Sequence, residues 1–273
     1  MNYAHKIKAR YRYAIILLKQ MVITDFKLRY QGSVLGYIWS LLRPLFLFVI
    51  LYVVFVKFLG VGGRIAHYPV YLFMGIVLWN FFAEITSNSV NAIVERRDLI
   101  RKLNFPRYVI LVSVALSALI NLLLNMVVIG VFLVLMHVPL SLRALWLPLF
   151  VGEIFVLGLS VGSILSTLFV RLRDINYIWE VIMQALFYAT PIIYPVSLVS
   201  SKWPVIAKIL LLNPMGQAIQ DIRYNVVTTQ TQTLGSLINR WYIVAIPYAI
   251  VVIVTVLAAM LFKKRSPYFA EEV

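Results

Sequence analysis

Arg96-Arg97-Asp98-Leu99-Ile100-Arg101-Lys102-Leu103-Asn104-Phe105-Pro106-Arg107 lies between two apolar runs, 69–94 and 108–136, each long enough to cross a bilayer. It carries five Lys/Arg in twelve residues. Short connections this rich in cations stay on the cytoplasmic side of a membrane. Leu99, Ile100, Leu103 and Phe105 give the same stretch an apolar side. Two readings of that side stand at this point: a positive-inside loop with incidental leucines, or a short helix at 96–107 docking onto another protein. The rest of the chain favours docking.

Working outward, the 273 residues are 62% hydrophobic and 13% charged, with a mean hydropathy of +0.91. A soluble domain is about 45–50% apolar and about 25% charged. The chain therefore reads as a polytopic, all-α integral membrane protein. Its formal charge of +15 does not point to nucleic acid. The cations lie in short segments between apolar runs, where they set orientation and meet anionic head groups. The absence of cysteine excludes disulfides and thiolate chemistry. His5, His67 and His137 stand apart, so no histidine metal cluster is expected. The first thirty residues are studded with Lys and Arg and lack a small-residue cleavage site behind an apolar core, so no cleavable signal peptide is expected.

Residues 5–29, within an amino-terminal segment 1–33, predict an amphipathic helix lying in the membrane interface. Ile7, Tyr11, Ile15, Leu18 and Val22 recur at three- and four-residue spacing, flanked by Lys6, Lys8, Arg10, Arg12 and Lys19. Gln31-Gly32-Ser33 ends the pattern. Six spans follow, at about 34–59, 69–94, 108–136, 145–170, 176–196 and 243–262. Arg43-Pro44 inside the first predicts a kink or a later start. Pro191 and Pro195 predict a broken or re-entrant outer end to the fifth, whose freed backbone must be buried in protein or face a watery cavity. The outer connection, 197–242, contains a ten-residue apolar stretch, 203–212, that opens on Trp203-Pro204 and is closed by Asn213-Pro214. That is too short to cross, so a re-entrant or surface-lying helix is expected before the last span. Residues 263–273 form a tail opening on Lys263-Lys264-Arg265. Eighteen of the twenty-five Lys/Arg fall on the side of the termini, the island and the Arg171–Arg173 turn, which makes both termini cytoplasmic.

Polar residues inside spans are costly and are default functional candidates. Asn80, Glu84, Asn88 and Asn91 share a helical face in the second span, and Ser113, Ser117, Asn121 and Asn125 form a stripe in the third. Glu180, Gln184 and Tyr188 share a face in the fifth, and Gly158, Gly162 and Ser166 make a small-residue face in the fourth. These stripes are either hydrogen-bonded seams within one bundle or the lining of a hydrated path. Glu84 reads as the lone acidic residue deep in a span, so a proton relay is not expected. Tyr37, Trp39, Trp179, Tyr188 and Tyr194 are interface anchors, or line a passage where sugar rings stack. No Gly-x-x-x-x-Gly-Lys-Ser/Thr occurs, and no soluble segment is long enough for an ATPase domain. If ATP drives the protein, a separate subunit hydrolyses it.

The stretch from Thr24-Asp25-Phe26 through Tyr30-Gln31-Gly32-Ser33-Val34-Leu35-Gly36-Tyr37-Ile38-Trp39 to Arg43-Pro44 resembles the amino-terminal signature of permease subunits of ATP-binding-cassette polysaccharide exporters. Those carry O-antigen, capsule, rhamnose-rich polysaccharide or teichoic acid. The resemblance continues through Asp98-Leu99-Ile100-Arg101-Lys102-Leu103-Asn104-Phe105-Pro106, Arg173-Asp174-Ile175, Thr190-Pro191-Ile192-Ile193-Tyr194 and Asn213-Pro214-Met215. It covers nearly the whole chain in order. It implies a homodimer of six-span subunits in the cytoplasmic (inner) membrane of a bacterium, paired with two copies of a separate ATPase that binds ATP and Mg. This chain would bind no cofactor and catalyse no reaction itself. The resemblance implies a coupling helix at the island, carried by Arg97, Asp98, Arg101, Lys102 and Asn104. It also implies a channel for a lipid-linked glycan or polyol-phosphate polymer, and the candidates for its lining are Tyr37, Trp39, Glu84, Asn88, Tyr188 and Tyr194. The alternatives are a permease exporting small molecules or drugs, which needs the same kind of partner, and a membrane-embedded glycosyl- or acyltransferase. For the latter, Asp25, Asp98, Asp174 and Glu180 lie near the cytoplasmic edge, but pairing with neighbouring cations or helix capping accounts for them.

Overall fold

The computed structural model describes residues 3–30, 36–60, 65–103, 105–139 and 141–269, with 3–11, 26, 28–30 and 37 described by backbone alone. The break expected at 31–33 and the coupling candidate Asn104 lie outside the described residues, as does the side chain of Tyr37. All regular structure among the described residues is helical. In order these are α1 (Tyr3–Tyr30), α2 (Trp39–Tyr52, continued by a π-helical turn Val53–Phe58), α3 (Tyr68–Glu95), α4 (Arg97–Lys102), α5 (Tyr108–Leu135), α6 (Leu147–Phe169) and α7 (Ile175–Ala189). Five short helices and one long one complete the chain: α8 (Val196–Ser200), α9 (Pro204–Leu212), α10 (Pro214–Val226), α11 (Leu234–Leu237), α12 (Trp241–Val244) and α13 (Ile246–Arg265).

Proline sets many of these boundaries. Pro69, Pro148, Pro204, Pro214 and Pro247 sit in the first turn of α3, α6, α9, α10 and α13. There the missing N–H would have had no helical partner anyway. Pro44, by contrast, lies inside α2 and deprives the carbonyl of Ser40 of its ordinary donor four residues on. Asn125 of α5 supplies a substitute, its Nδ2 donating to Ser40 O at 3.3 Å. An asparagine in one span thus repairs the helix break in another.

α3 is the axis of the molecule. About four-fifths of its most apolar window is buried, far more than in the other long helices, and α6, α5, α2, α7 and α10 all pack on it. The closest approach is to α6, where the small-residue face does the work. A Cβ at Gly162 would stand 2.6 Å from Ser89 Oγ, and one at Gly158 would stand 3.2 Å from Ile85. Dispersion between closely packed backbones is the main force holding helices together in lipid. Substituting Gly162→Val is therefore expected to lower stability by about 1–3 kcal/mol, read as a drop in the thermal unfolding midpoint of the detergent-solubilised chain. An unchanged midpoint would contradict this packing.

Among the described residues, five helices are long and apolar enough to cross a membrane: Trp39–Phe58, Tyr68–Glu95, Tyr108–Leu135, Leu142–Phe169 and Trp241–Tyr268. The run expected as a fifth of six spans, 176–196, instead holds the 15-residue α7. At about 1.5 Å per residue it is about 22 Å long, short of the roughly 30 Å hydrocarbon core. Thr190 breaks it with extended backbone, and coil runs to α8.

Two amphipathic readings shift in the structure. Among the described side chains of α1, Ala14 and Met21 are buried, with Leu17 and Leu18 beside them, whereas Ile15, of the expected stripe, is exposed, as are Ile16 and Ile23. The helix lies along α5 with these small or flexible side chains inward and Ile15, Ile16 and Ile23 outward. On the island, Ile100 and Phe105 are 6% and 5% exposed and join α1, α5 and Phe269 in one cluster. Ile100 and Phe105 therefore pack on their own chain, while Leu103 of the same stretch stays exposed.

Candidate functional site

α4 is set at one end of α3 by what surrounds it. Arg96 Nη2 meets Asp25 Oδ2 of α1 at 2.5 Å, an ion pair that is mostly buried. Ile100 anchors the inner face. With the apolar side thus used, α4 presents Arg97, Asp98, Arg101 and Lys102 outward, all four exposed. Beside them is a cavity of about 440 Å³ lined by Arg101, Lys102, Arg107 and Ser266. The surface is a rigidly seated, cationic ledge.

From Arg96 a polar seam runs up α3. A cavity of about 430 Å³ is lined by Asp25, Asn88, Asn91, Glu95 and Arg96. It shares Ser87 and Asn88 with a larger one, about 780 Å³, between α2, α3 and α5, lined by Trp39, Arg43, Asn80, Glu84 and Asn121 among others. A third, about 540 Å³, lies between α3 and α7, with Asn80, Trp179, Glu180, Gln184 and Tyr188 in its wall. Part of the polar stripes forms hydrogen-bonded seams between and along the helices. Asn121 Nδ2 donates to Glu84 Oε1 at 2.6 Å, Asn125 Nδ2 to Asn121 O at 2.8 Å, and Ser113 and Ser117 bond back to their own helix. The carboxamide oxygens of Asn91 and Asn121 and the indole N–H of Trp179 are buried with no protein partner among the described residues. Such groups cost free energy unless water or a polar solute meets them.

Of the channel candidates, Trp39, Glu84 and Asn88 come together in the 780 Å³ cavity and Tyr188 lies in the wall of the α7 cavity. Tyr194 lines none of these cavities; its hydroxyl donates to the carbonyl of Tyr188 at 3.1 Å.

The residue that sequence reasoning passed over is Arg223, counted only among the outer cations. It is fully buried on α10. Its Nε donates to Tyr71 O at 2.9 Å, Nη1 to Pro191 O at 2.7 Å and Nη2 to Ile192 O at 2.7 Å. Its guanidinium lies 3.7 Å over the Tyr71 ring. Gln220 Nε2 also donates to Pro191 O at 3.1 Å, and the Tyr68 hydroxyl donates to Ile193 O. The backbone freed at Pro191 is thus satisfied carbonyl by carbonyl from α10 and α3. The legible signal was Gln217, Gln220 and Arg223 at helical spacing beside Asn213-Pro214, together with a glycine, Gly75, amid bulky residues of α3.

Glu153 corrects a second expectation. Glu84 is not the lone carboxyl within a span, because Glu153 stands in the second turn of α6 with both carboxylate oxygens buried and unpartnered. Across from it, on α10, burial pushes the Asp221 carboxyl above its usual range, and hydrogen bonds with Gln217 and Tyr248 pull it back down.

Long apolar helices with polar cavities between them, and a charged short helix at one end, define a polytopic membrane protein. The family described as ABC-2 type transporter matches residues 16–227, and the chain belongs to that family. Nearly its whole length aligns with proteins named O-antigen export system permease protein RfbA. One, from Klebsiella pneumoniae, is 32% identical over 270 residues, covering 97% of this chain and 98% of the relative. A second from the same organism is 31% identical over 269 residues with the same coverage, and one from Myxococcus xanthus is 27% identical over 273 residues, covering 98% of each.

Proposed function

We propose that the chain is the transmembrane subunit of an ATP-driven exporter. It moves a lipid-linked polysaccharide or related polymer from the cytoplasmic to the outer face of the cell membrane. It works as a homodimer, energised by two copies of a separate ATPase that binds ATP and Mg. The observation that carries this reading is the α4 ledge. Four charged side chains are turned outward on a helix whose apolar side is locked into the core, in a chain without a phosphate-binding loop motif of its own. A bare connector needs no such seating; a surface that must transmit force does. The names of the full-length relatives support the substrate class.

In this reading α4 and both termini are cytoplasmic. The polar seam of α3, opened by Trp39, Glu84 and Asn88, lies along the path taken by hydroxyl-rich substrate, with Tyr188 available for stacking on sugar rings. α7 and the coil after it make the sixth crossing, and the carbonyls of 190–193, clasped by α10, let that crossing contain irregular backbone.

The test is gentle affinity purification of the full chain from its native membranes. An equimolar ATPase carrying a phosphate-binding loop, with lipid-linked glycan in the same preparation by mass spectrometry, is expected. A chain that purifies alone, reproducibly and without ATPase activity, would remove the motor from this reading. A partner ATPase with no glycan, and transport of small amphiphiles in its place, would change the cargo.

A further inference from the structure

Lys263, Lys264 and Arg265 close α13 with three cations, the mark of the head-group level at the end of a span. Nothing in the physics of the bilayer brings the chain back after that point. Yet Ser266–Tyr268 form a 3₁₀ turn with Pro267 in its first positions, and the turn returns Phe269 to the protein. Tyr268 is 52% exposed, whereas Phe269 beside it is 0% exposed and among the largest fully buried side chains.

Phe269 enters the cluster that seats the charged ledge. Its ring meets that of Phe262 of α13 edge-on, with centroids 5.5 Å apart. Ile100 of α4, Phe105, Met21 of α1 and Val109 of α5 belong to the same cluster. Ser266 stands with Ile100, Arg101, Lys102 and Arg107 in the wall of the 440 Å³ cavity beside the ledge.

α4 has six residues, too few to hold a helix in place by its own hydrogen bonds. Its position therefore comes from what it touches. Arg96 and Asp25 tie its start to α1, and Phe269 with Phe262 is what α13 contributes to its seat. Farther along α13, the hydroxyls of Thr255 and Ser160 of α6 meet at 2.9 Å. At the other end of α13, Tyr248 accepts from Gln217 Nε2 of α10 at 3.0 Å, and Arg223 of α10 holds the carbonyls after α7. Packed side chains on rigid helices are the physical means by which distant sites are coupled.

We propose that Phe269 is a positioning residue for α4, clasping the ledge to α13 so that force on the ledge moves the last long helix with it. The part played in transport rests on the coupling role given to α4 above; the clasp itself does not.

The chain has no cysteine, so Leu103→Cys and Lys264→Cys, both at exposed positions, carry a pair of spin labels without background. In the full chain in lipid nanodiscs, with any partner that accompanies it, one narrow distance distribution between α4 and α13 is expected. Phe269→Ala is expected to add a second, longer distance. Phe269→Leu, which keeps apolar bulk but loses the ring, should add less of it, and Tyr268→Ala none. In vesicles holding the ATPase complex, without the labels, Phe269→Ala is expected to lower glycan exported per ATP hydrolysed by roughly threefold or more while the ATPase still copurifies. Should Phe269→Ala fail to fold, Phe269→Leu is read in its place. Distances unchanged from wild type overturn the clasp. A loosened α4 with an unaltered ratio of export to hydrolysis overturns the positioning role. If the wild type recruits no ATPase, the exporter reading fails, and the distances still decide the clasp.

Discussion

Arg223→Ala is expected to cost about 3–5 kcal/mol, enough to leave most of the chain misfolded or aggregated on solubilisation. That figure combines one orphaned buried carbonyl, at about 1–3 kcal/mol, with the void left by a large side chain. Of the three carbonyls that Arg223 serves, Pro191 O has a second donor in Gln220 and Tyr71 O lies inside α3, where the helical ladder supplies a donor from Gly75. That of Ile192 would be left facing a cavity. Lysine does not rescue the site, because one ammonium cannot reproduce a planar fork that reaches three acceptors and stacks on an aromatic face. Gly75 is the other half of the same device. A Cβ there would fall on the guanidinium, 2.8 Å from Cζ, so Gly75→Ala is expected to be nearly as damaging as losing Arg223. The double variant should be less damaging than the sum, since the added methyl occupies space the arginine has vacated. Thermal unfolding and monodispersity of the four proteins in detergent test this. A wild-type midpoint for Arg223→Ala would show that α10 and the break after α7 are held by something else.

The second large effect falls on function. Reversing charge at Arg97 and Arg101 together is expected to leave insertion and fold intact while weakening the ATPase partner's binding by about a hundredfold or more. Breaking a buried charge pair across an interface costs about 2–5 kcal/mol, and tenfold is about 1.4 kcal/mol. Both side chains are exposed on α4, and the residues that seat the helix, Ile100 and Phe105, are untouched. Ile100→Ala and Phe105→Ala should behave oppositely, destabilising the chain by about 2–5 kcal/mol through core loss and reducing partner binding only as folded protein is lost. Copurification of the ATPase and ATP-dependent export, each normalised to inserted chain, separate the two cases. Wild-type export by the charge-reversed chain would sink the coupling role of α4.

Much of this architecture is legible in local sequence. Run length and proline placement locate the long helices closely: α3 spans 68–95 where 69–94 is expected, and α5 spans 108–135 where 108–136 is expected. Helix length, proline at a first turn, and cation excess in a connection are properties of neighbouring residues, and lipid enforces them because backbone cannot be left unpaired in it. The small-residue face of α6 is readable for the same reason, since a period of four on one helix already says which side admits a close neighbour.

What a side chain meets across helices is another matter. Asn125 repairs the carbonyl freed by Pro44, Arg223 clasps carbonyls 31 to 152 residues away, and Gln217 joins α10 to α13. No periodicity within α5 or α10 points to those partners. The island's apolar side read in sequence as a docking side, and the packing of α1 and α5 took Ile100 and Phe105 inward, leaving mainly charge, with Leu103, at the surface. Composition and spacing therefore set which segments are helical and which end carries the cations. Packing decided which polar groups are satisfied, which are left without a protein partner, and where α7 must break, because those outcomes depend on distances between helices that no single helix encodes.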